Sequence, residues 1–584
     1  MKLIAEQLTE VVIAAVQAAQ ASGQLPTVPL PDILVERPKR KDLSLAGENR
    51  QGDWATALPL QIVRPVNEAR ASEGAGKLTP LQIGQIIAAH VQQLAHPALA
   101  DARALGPGFI NFYLAHGWLT GQVDDICRQG EAWATLSQGQ NRRIQVEFVS
   151  ANPTGPLHFG GARNAVFGDT LARVLTGAGF DVQREFYVND SGNQIRKFGA
   201  SLLARYAQAL GVNRALPEDG YHGVYLATWG AQLAATHDRH FLELPEEQAI
   251  SELTDLALAM ALENLRSDLA RIDVHFDRWF SERSLYRDGT YQTVLALLES
   301  KGLVYRKDDA VWFAASQFPG NEKDEVLVRR NGEPTYFASD IAYHYDKFVR
   351  RGFERVIDVW SMDHQGHVPR MATVMIALGL DPARLTIPIY ALVKLKRGGE
   401  EVKLSKRAGD IVTLNEVVDE VGADAVRFLL LMRAAESEME FDLKLAAEQS
   451  SENPVYYVQY AHARICSILR RAQESQTQAG DLGQKGQATM TLLHHPSEMA
   501  LLGKMLELPE IIALAAKHLA PHHLTYYAQE LANAFHVFYR DCRVISSDPA
   551  DAALGQARLR LVDACRIVLA HTLHLMGMSA PEQM

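Results

Sequence analysis

With 584 residues, 47% hydrophobic and 22% charged, the chain has an ordinary globular composition and room for roughly two to four domains. No uncharged apolar run approaches the ~20 residues of a membrane span, and the start of the chain lacks a signal peptide's basic head and cleavage pattern. Four scattered cysteines (Cys127, Cys466, Cys542 and Cys565) without a CxxC pair argue against a disulfide framework or a zinc site, and fit a reducing cytoplasm. The net charge of −11 is unevenly spread. Residues 1–115 hold ten basic and ten acidic side chains and residues 451–584 hold eleven and twelve, so the acidic excess lies in the middle. Such a centre suits a cationic small substrate, or serves only solubility, and the near-neutral ends leave local basic patches for a polyanion.

In chain order, the apolar spacing predicts a helix over residues 3–21, then a Pro-rich stretch and the basic run Arg37-Pro-Lys39-Arg40-Lys41. That run is either a solvated loop or a phosphate contact. A second helix over 79–95 and a strand over 108–114 complete a small α/β unit, and a linking helix follows over 119–136. Residues 144–149, apolar and β-branched apart from Gln145 and Glu147, predict a buried strand. The turn-formers of 150–156 follow. After Gly161 the residues Ala162, Val166, Phe167, Leu171, Val174 and Leu175 recur at helical spacing, and residues 180–188 predict the next strand. Strand, Gly/Pro loop, helix and strand make a unit whose helix N-terminus can hold a phosphate on free N–H groups, although an ordinary crossover has the same layout. Leu157-His158-Phe159-Gly160-Gly161 adds an imidazole donor and close backbone approach at that point.

The run Ala151-Asn152-Pro153-Thr154-Gly155-Pro156-Leu157-His158, with Arg163-Asn164 after it, resembles the first signature of class I aminoacyl-tRNA synthetases in its arginyl form. That signature usually reads His-x-Gly-His; here the fourth position is Gly161. Residues 52–56 and 107–112 resemble the family's additional N-terminal domain, and Phe186-Tyr-Val-Asn-Asp-Ser-Gly-Asn-Gln-Ile195 resembles its next strand end. Residues 196–300 are predicted to be a mainly helical insertion. The second half-sheet is expected to begin near 310–313 and to continue through 333–344 and 355–360. Tyr336 and Asp340, four apart at a strand-to-helix junction, can share one side of a pocket, and a guanidinium wants paired carboxylate acceptors. By resemblance Glu147, Asn152, Tyr336, Asp340 and Asp363 line an arginine pocket; taken alone, Asp340 could equally cap a helix and Glu147 end a strand. Lys403-Leu404-Ser405-Lys406-Arg407 resembles the second signature, Lys-Met-Ser-Lys-Ser. The implied ATP site comprises Pro156, His158, Gly160, Gly161, Asp363, His364, Lys403, Ser405 and Lys406, with His158, Lys403 and Lys406 as the catalytic groups.

From residue 421 the chain is predicted helical to its end, broken by a polar linker over 473–487. Tyr456, Tyr460, Arg464 and the terminal Met584 resemble the family's anticodon-reading region, where aromatic and basic groups suit unstacked bases; the tyrosines' spacing also suits core packing. With Lys39 and Arg40 they form the candidate tRNA contacts. The resemblance implies an α/β class I fold. A small N-terminal α/β domain (1–115) would precede a Rossmann-type catalytic domain with insertions (116–435) and an all-helical anticodon-binding domain (436–584). It further implies a cytoplasmic, monomeric ligase joining L-arginine to tRNA(Arg) with ATP and Mg2+, and no zinc. Two other readings remain: a silent paralogue that only binds tRNA, prompted by Gly161, and a class I enzyme for another amino acid.

Overall fold

Five parallel strands carry the site. The computed structural model describes residues 1–38, 52–319, 321–402, 412–450, 452–476, 490–546 and 548–584. In it the spatial order is Leu385–Thr386, Arg355–Asp358, Arg143–Glu147, Asp181–Val188 and Arg278–Ser281. All four pairings are parallel, so every carboxyl end lies on the same edge. From Arg143–Glu147 the chain winds outward through Asp181–Val188 to Arg278–Ser281, then returns to the other side of Arg143–Glu147 as Arg355–Asp358. The connections reverse there, which opens a crevice between the loops that leave the two central strands.

The helix Ala162–Gly177 is buried on nearly every face, as a helix between two apolar layers must be. Toward the sheet, Gly168 allows the approach: a Cβ there would lie 2.2 Å from Phe148 Cγ. On its other side Gly177 faces Ile512 and Leu575 of the C-terminal helices, and one apolar core joins sheet and bundle. Arg427 pins this junction. Its guanidinium donates to Asp169 (2.6 Å) on that helix and to the carbonyls of Ile272 and Met576 (both 2.5 Å).

The N-terminal unit has its own core, with helices Ile4–Ala21, Leu58–Ser72 and Pro80–Gln93 against an antiparallel sheet of Trp54–Thr56, Phe109–Leu114 and Leu99–Leu105. Two of these helices and the strand Phe109–Leu114 match the sequence reading to within two residues. The helix Leu58–Ser72 was hidden by Pro59 in its first turn and Pro65 inside it. From the basic run, Arg37 bonds Glu510 of the C-terminal helices through two 2.9 Å contacts and stacks on Trp54. Lys39 and Arg40 lie outside the described residues.

Several expectations fail in instructive places. Residues 310–313 do not begin the second half-sheet. Ala310–Phe313 is the middle strand of a separate antiparallel sheet with Val304–Lys307 and Glu325–Val328. Its hairpin turns on Asp308 and Asp309, both at positive φ (52° and 58°), as a type I′ turn requires. The stretch 333–344 adds no strand to the sheet; the expected strand-to-helix junction is instead the start of the helix Tyr336–Tyr345, capped by Thr335. Strand Arg278–Ser281 falls inside the stretch expected to be helical. Past residue 421 the strand Met439–Asp442 pairs with Val393–Arg397, so that region is not helical throughout; four residues are too few for a visible period. The predicted linker falls mostly outside the described residues. Among the described residues no helix is long and apolar enough to cross a membrane.

Candidate active site

The central strands end in register on two carboxylates, Glu147 and Asp358. Lys347 lies between them, its Nζ 2.6 Å from Glu147 Oε2 and 2.8 Å from Asp358 Oδ1, and it is fully buried. Lys347 sits in a π turn, Asp346–Arg350, that extends the helix Tyr336–Tyr345. His344 adds a second bridge, from Asp358 Oδ2 (2.9 Å) to the carbonyl of Asp340 (2.8 Å). Burial alone would raise the Asp358 carboxyl, but Lys347 and His344 outweigh it and hold the group down at about 2. Burial pushes Glu147 up despite Lys347, and Asp358 adds repulsion.

Asp340 lies one turn after Tyr336 on that helix, so both side chains face the same region. Burial pushes its carboxyl up to about 7; His344 and Lys347 oppose this, while Glu147 and Glu282 reinforce it. Glu282 begins the helix that follows strand Arg278–Ser281. It too is raised, chiefly by burial, against hydrogen bonds from Ser339, Ser191 and Tyr187, and its Oε2 has no hydrogen-bond partner among the described residues. Carboxyls raised together at the carboxyl ends of a parallel sheet form a receptor for a cation. No sequence signal pointed to Glu282, whose distance in the chain from Asp340 hides that the two lie close enough to interact. Tyr336 is exposed at the same rim. Asn152 is set by Asn189 (3.3 Å) and Gln194 (3.4 Å), while Asp190 is fixed by Ser281 (2.5 Å) and the Arg283 N–H (3.0 Å).

The backbone between Glu147 and the loop is strained. Val149 and Ser150 take φ of 66° and 43°, and a β-branched residue there is a genuine outlier. Asn164 holds the turn: it accepts from Val149 N (2.9 Å) and donates to the Val359 carbonyl (3.2 Å), stitching the two strand ends together. Ser150 Oγ donates to Glu147 (2.9 Å) and accepts from Tyr187 N (3.1 Å).

On the other side of the crevice, His158 Nδ1 accepts from Gly160 N at 2.8 Å, which places the ring proton of a neutral imidazole on Nε2. The expectation of free N–H groups fails. Phe159 N donates to Val412 O (3.1 Å), Gly161 N to His158 O (2.8 Å), and Ala162 N to Phe159 O. A short 3-10 turn, Phe159–Gly161, precedes the helix and consumes the donors that an abrupt helix start would leave open. Arg163 cannot stand in for the missing second histidine either. It is buried, its guanidinium donates to the carbonyls of Ala391 (2.7 Å), Ala434 and Ser437 (both 2.8 Å), and burial lowers it to about 10. Gly161 itself has an ordinary φ of −82°, and among the described residues a Cβ there would meet Leu157, at 3.3 Å from Cδ1 and 4.0 Å from Cγ. Pro156 is exposed, and Asp363 and His364 lie exposed on the 3-10 turn Met362–His367, near the neighbouring strand end. Lys403, Ser405 and Lys406 lie outside the described residues.

At the C-terminal helices, Tyr456 and Tyr460 stack with ring centres 6.0 Å apart, and Arg464 lies over Tyr460 (5.9 Å) and Tyr539 (4.7 Å). Tyr457 instead packs against the core. Met584 is exposed at the chain end.

Residues 122–442 match the family model described as "tRNA synthetases class I (R), catalytic domain". The chain belongs to the arginyl-tRNA synthetases. Two further models of this family's parts match beside it: the arginyl tRNA synthetase N terminal domain at residues 6–114 and the DALR anticodon binding domain at 458–584. Among similar proteins, an arginine–tRNA ligase of Dehalococcoides mccartyi is 47% identical, covering 98% of this chain and 97% of the relative. One from Heliobacterium modesticaldum is 45% identical over the whole of both chains. The solved arginyl-tRNA synthetase of Thermus thermophilus shares the fold, with a TM-score of 0.69 at 22% identity over the full length of both chains. The fold is accordingly that of a class I synthetase, with an N-terminal domain and a C-terminal helical domain of this family's kind.

Proposed function

We propose that the chain ligates L-arginine to tRNA(Arg) in the cytoplasm, as a monomer, through an arginyl-adenylate. The observation that carries the substrate choice is the cluster of raised carboxyls: Asp340 and Glu282 beside Glu147, with Tyr336 at the rim. An arriving guanidinium would ionise Asp340 and Glu282 and satisfy them. Asn152 and the Asp363 turn would receive the α-amino and carboxylate end.

In the first step the arginine carboxylate oxygen attacks the α-phosphorus of ATP, and the bond to the bridging oxygen breaks to release pyrophosphate. The Nε2 proton of His158 is the described donor that meets the charge developing on the phosphates. Lys403 and Lys406 would act on the β and γ groups, with Pro156, Gly160, Gly161, His364 and Ser405 around the nucleotide. Mg2+ would enter with the phosphates, which it usually prefers to an all-protein cage. In the second step the 2′-OH of the terminal adenosine attacks the activated carbonyl, and AMP leaves. No side chain forms a covalent intermediate.

For tRNA, exposed Tyr460 with half-buried Tyr456 and Arg464, and Met584 in the same domain, are proposed to read unstacked bases. Lys39 and Arg40 are proposed phosphate contacts of the N-terminal domain. We assign residues 1–115, 116–435 and 436–584 to the three functions, with strand Met439–Asp442 packed against the catalytic part. ATP–pyrophosphate exchange with each amino acid in the presence of tRNA(Arg) tests the reading. Exchange with arginine is expected; none with a cognate tRNA would leave only the silent paralogue, and exchange with a different amino acid would reassign the pocket.

A further inference from the structure

Between the two signatures lies a contact that neither of them contains. Asp268, on the long helix Glu246–Ala270, is buried, and each of its oxygens holds a different segment. Its Oδ2 accepts from the backbone N–H of Leu157 at 3.0 Å, one residue before His158. Its Oδ1 accepts from Asn415 Nδ2 at 2.6 Å, in the first turn of the helix that follows the second signature. The two segments are also bonded directly: Leu414 N donates to Leu157 O (2.9 Å), Phe159 N donates to Val412 O (3.1 Å), and His158 pairs with Thr413 as an isolated bridge. One turn beyond Asp268, Arg271 bonds Asp419 (2.5 Å), so the same two helices are tied twice.

We propose that Asp268 is a positioning residue for arginine activation: it fixes the spacing between the His158 loop and the C-terminal anchor of the Lys403–Lys406 segment. Because the backbone donors of the loop are already bonded within the protein, phosphate recognition falls on side chains from both segments. Their separation then decides whether His158 Nε2 and the lysines can meet one triphosphate together. A carboxylate suits this task because it is acceptor-only and can bond two donors at once. Its burial keeps water from replacing either bond. The helix that carries it is also fixed on the arginine side, where Asp255 bonds Arg283 (2.6 Å) beside Glu282, about 20 Å away along the helix axis. The clamp therefore holds the ATP half of the cleft to the same rod that borders the arginine half.

This inference rests on reading the His158 loop as the ATP site, and its test separates the two. tRNA-dependent ATP–pyrophosphate exchange is measured for Asp268→Ala, Asn415→Ala, Asp268→Asn and the swap Asp268→Asn with Asn415→Asp, beside His158→Ala. In Asp268→Ala, kcat/KM for ATP should fall about 10²-fold, the scale of a misplaced reacting group, while KM for arginine and affinity for tRNA stay unchanged. The swap keeps an acceptor for Leu157 N and returns a carboxylate to the facing position, so it should recover most of the loss that Asp268→Asn alone produces. Should Asp268→Ala fail to fold, Asn415→Ala carries the test, with an ATP-specific loss of roughly tenfold expected. Equal changes in the KM values for arginine and ATP, a swap no better than its worse single variant, or a silent Asn415→Ala would overturn the clamp. If His158→Ala leaves exchange intact, the reading of the loop falls and the clamp with it. If His158→Ala abolishes exchange while Asp268→Ala is silent, only the clamp falls.

Discussion

Where arginine would enter, the cleft gathers Glu147, Asp340 and Glu282 from three separate elements around a buried lysine; where ATP would enter, the described residues include the His158 imidazole and loop amides that are bonded within the protein. The arginine side is charge-dense and costly to leave empty, since burial penalises carboxylates that lack a cation. The ATP side has no comparable cluster of raised carboxyls among the described residues, and on the proposed reading it draws on side chains from distant parts of the chain. The contrast teaches that selectivity and chemistry are held apart. On the proposed reading, a charge-reading pocket is built into the ends of the sheet, while the reacting phosphates would be met by a small number of positioned groups.

Breaking the buried base of the arginine side should have the largest effect. Lys347→Met leaves Glu147 and Asp358 facing each other without their cation, and should cost about 3–5 kcal/mol in denaturant unfolding. A loss within experimental error would mean that the two carboxylates share a proton instead. Next comes the pocket wall. Asp340→Asn should raise KM for arginine about 10²-fold or more while KM for ATP barely moves; equal effects would reject a guanidinium contact.

The same residue sets a pH dependence. Asp340 is raised from 3.8 to about 7, so the ionised form proposed to bind arginine is lost as pH falls through about 7. Apparent arginine affinity should therefore weaken roughly tenfold from pH 8 to pH 6, and Asp340→Asn should flatten that profile. In the empty protein the sign is reversed. The folded state holds this proton more tightly than the unfolded chain, so its contribution to stability declines as pH rises from 3.8 to about 7, and thermal protection by arginine should grow over the same window.

On the ATP side, His158→Ala should slow exchange about 10²-fold, with arginine affinity unaffected. Gly161→His should matter least, changing exchange by no more than a few-fold. Its backbone is ordinary and, among the described residues, the flexible end of Leu157 is what stands near, so a severe loss would mean that the loop moves through a conformation in which no side chain fits.

Much of the fold was legible in the sequence because its signals are local. Strand Arg143–Glu147, helix Ala162–Gly177 and strand Asp181–Val188 follow one another, and their periods change within one window. Strand Arg355–Asp358 lies beside Arg143–Glu147 in space but some two hundred residues along the chain, so the residues meeting between them had no local signature. Lys347, His344 and Asp358 were missed for that reason, as were Glu282 and Asp268. Glu147, Asn152, Tyr336 and Asp340 are singled out by resemblance to a family, and residue spacing alone does not distinguish them from a cap or a strand end. The loop at His158 was located correctly but its physics was misjudged, because a 3-10 turn that uses up amide donors looks the same in sequence as a helix start that exposes them.

Exchange with arginine and with citrulline, side by side in the presence of tRNA(Arg), tests the charge-reading pocket most directly. Citrulline keeps the length and nearly the shape of arginine but carries no charge, and would leave Asp340 and Glu282 without a cation. A preference for arginine of about 10⁴-fold or more in kcat/KM is the expected result. Comparable rates for the two amino acids would contradict it, and would show that the cleft selects by shape rather than by its carboxylates.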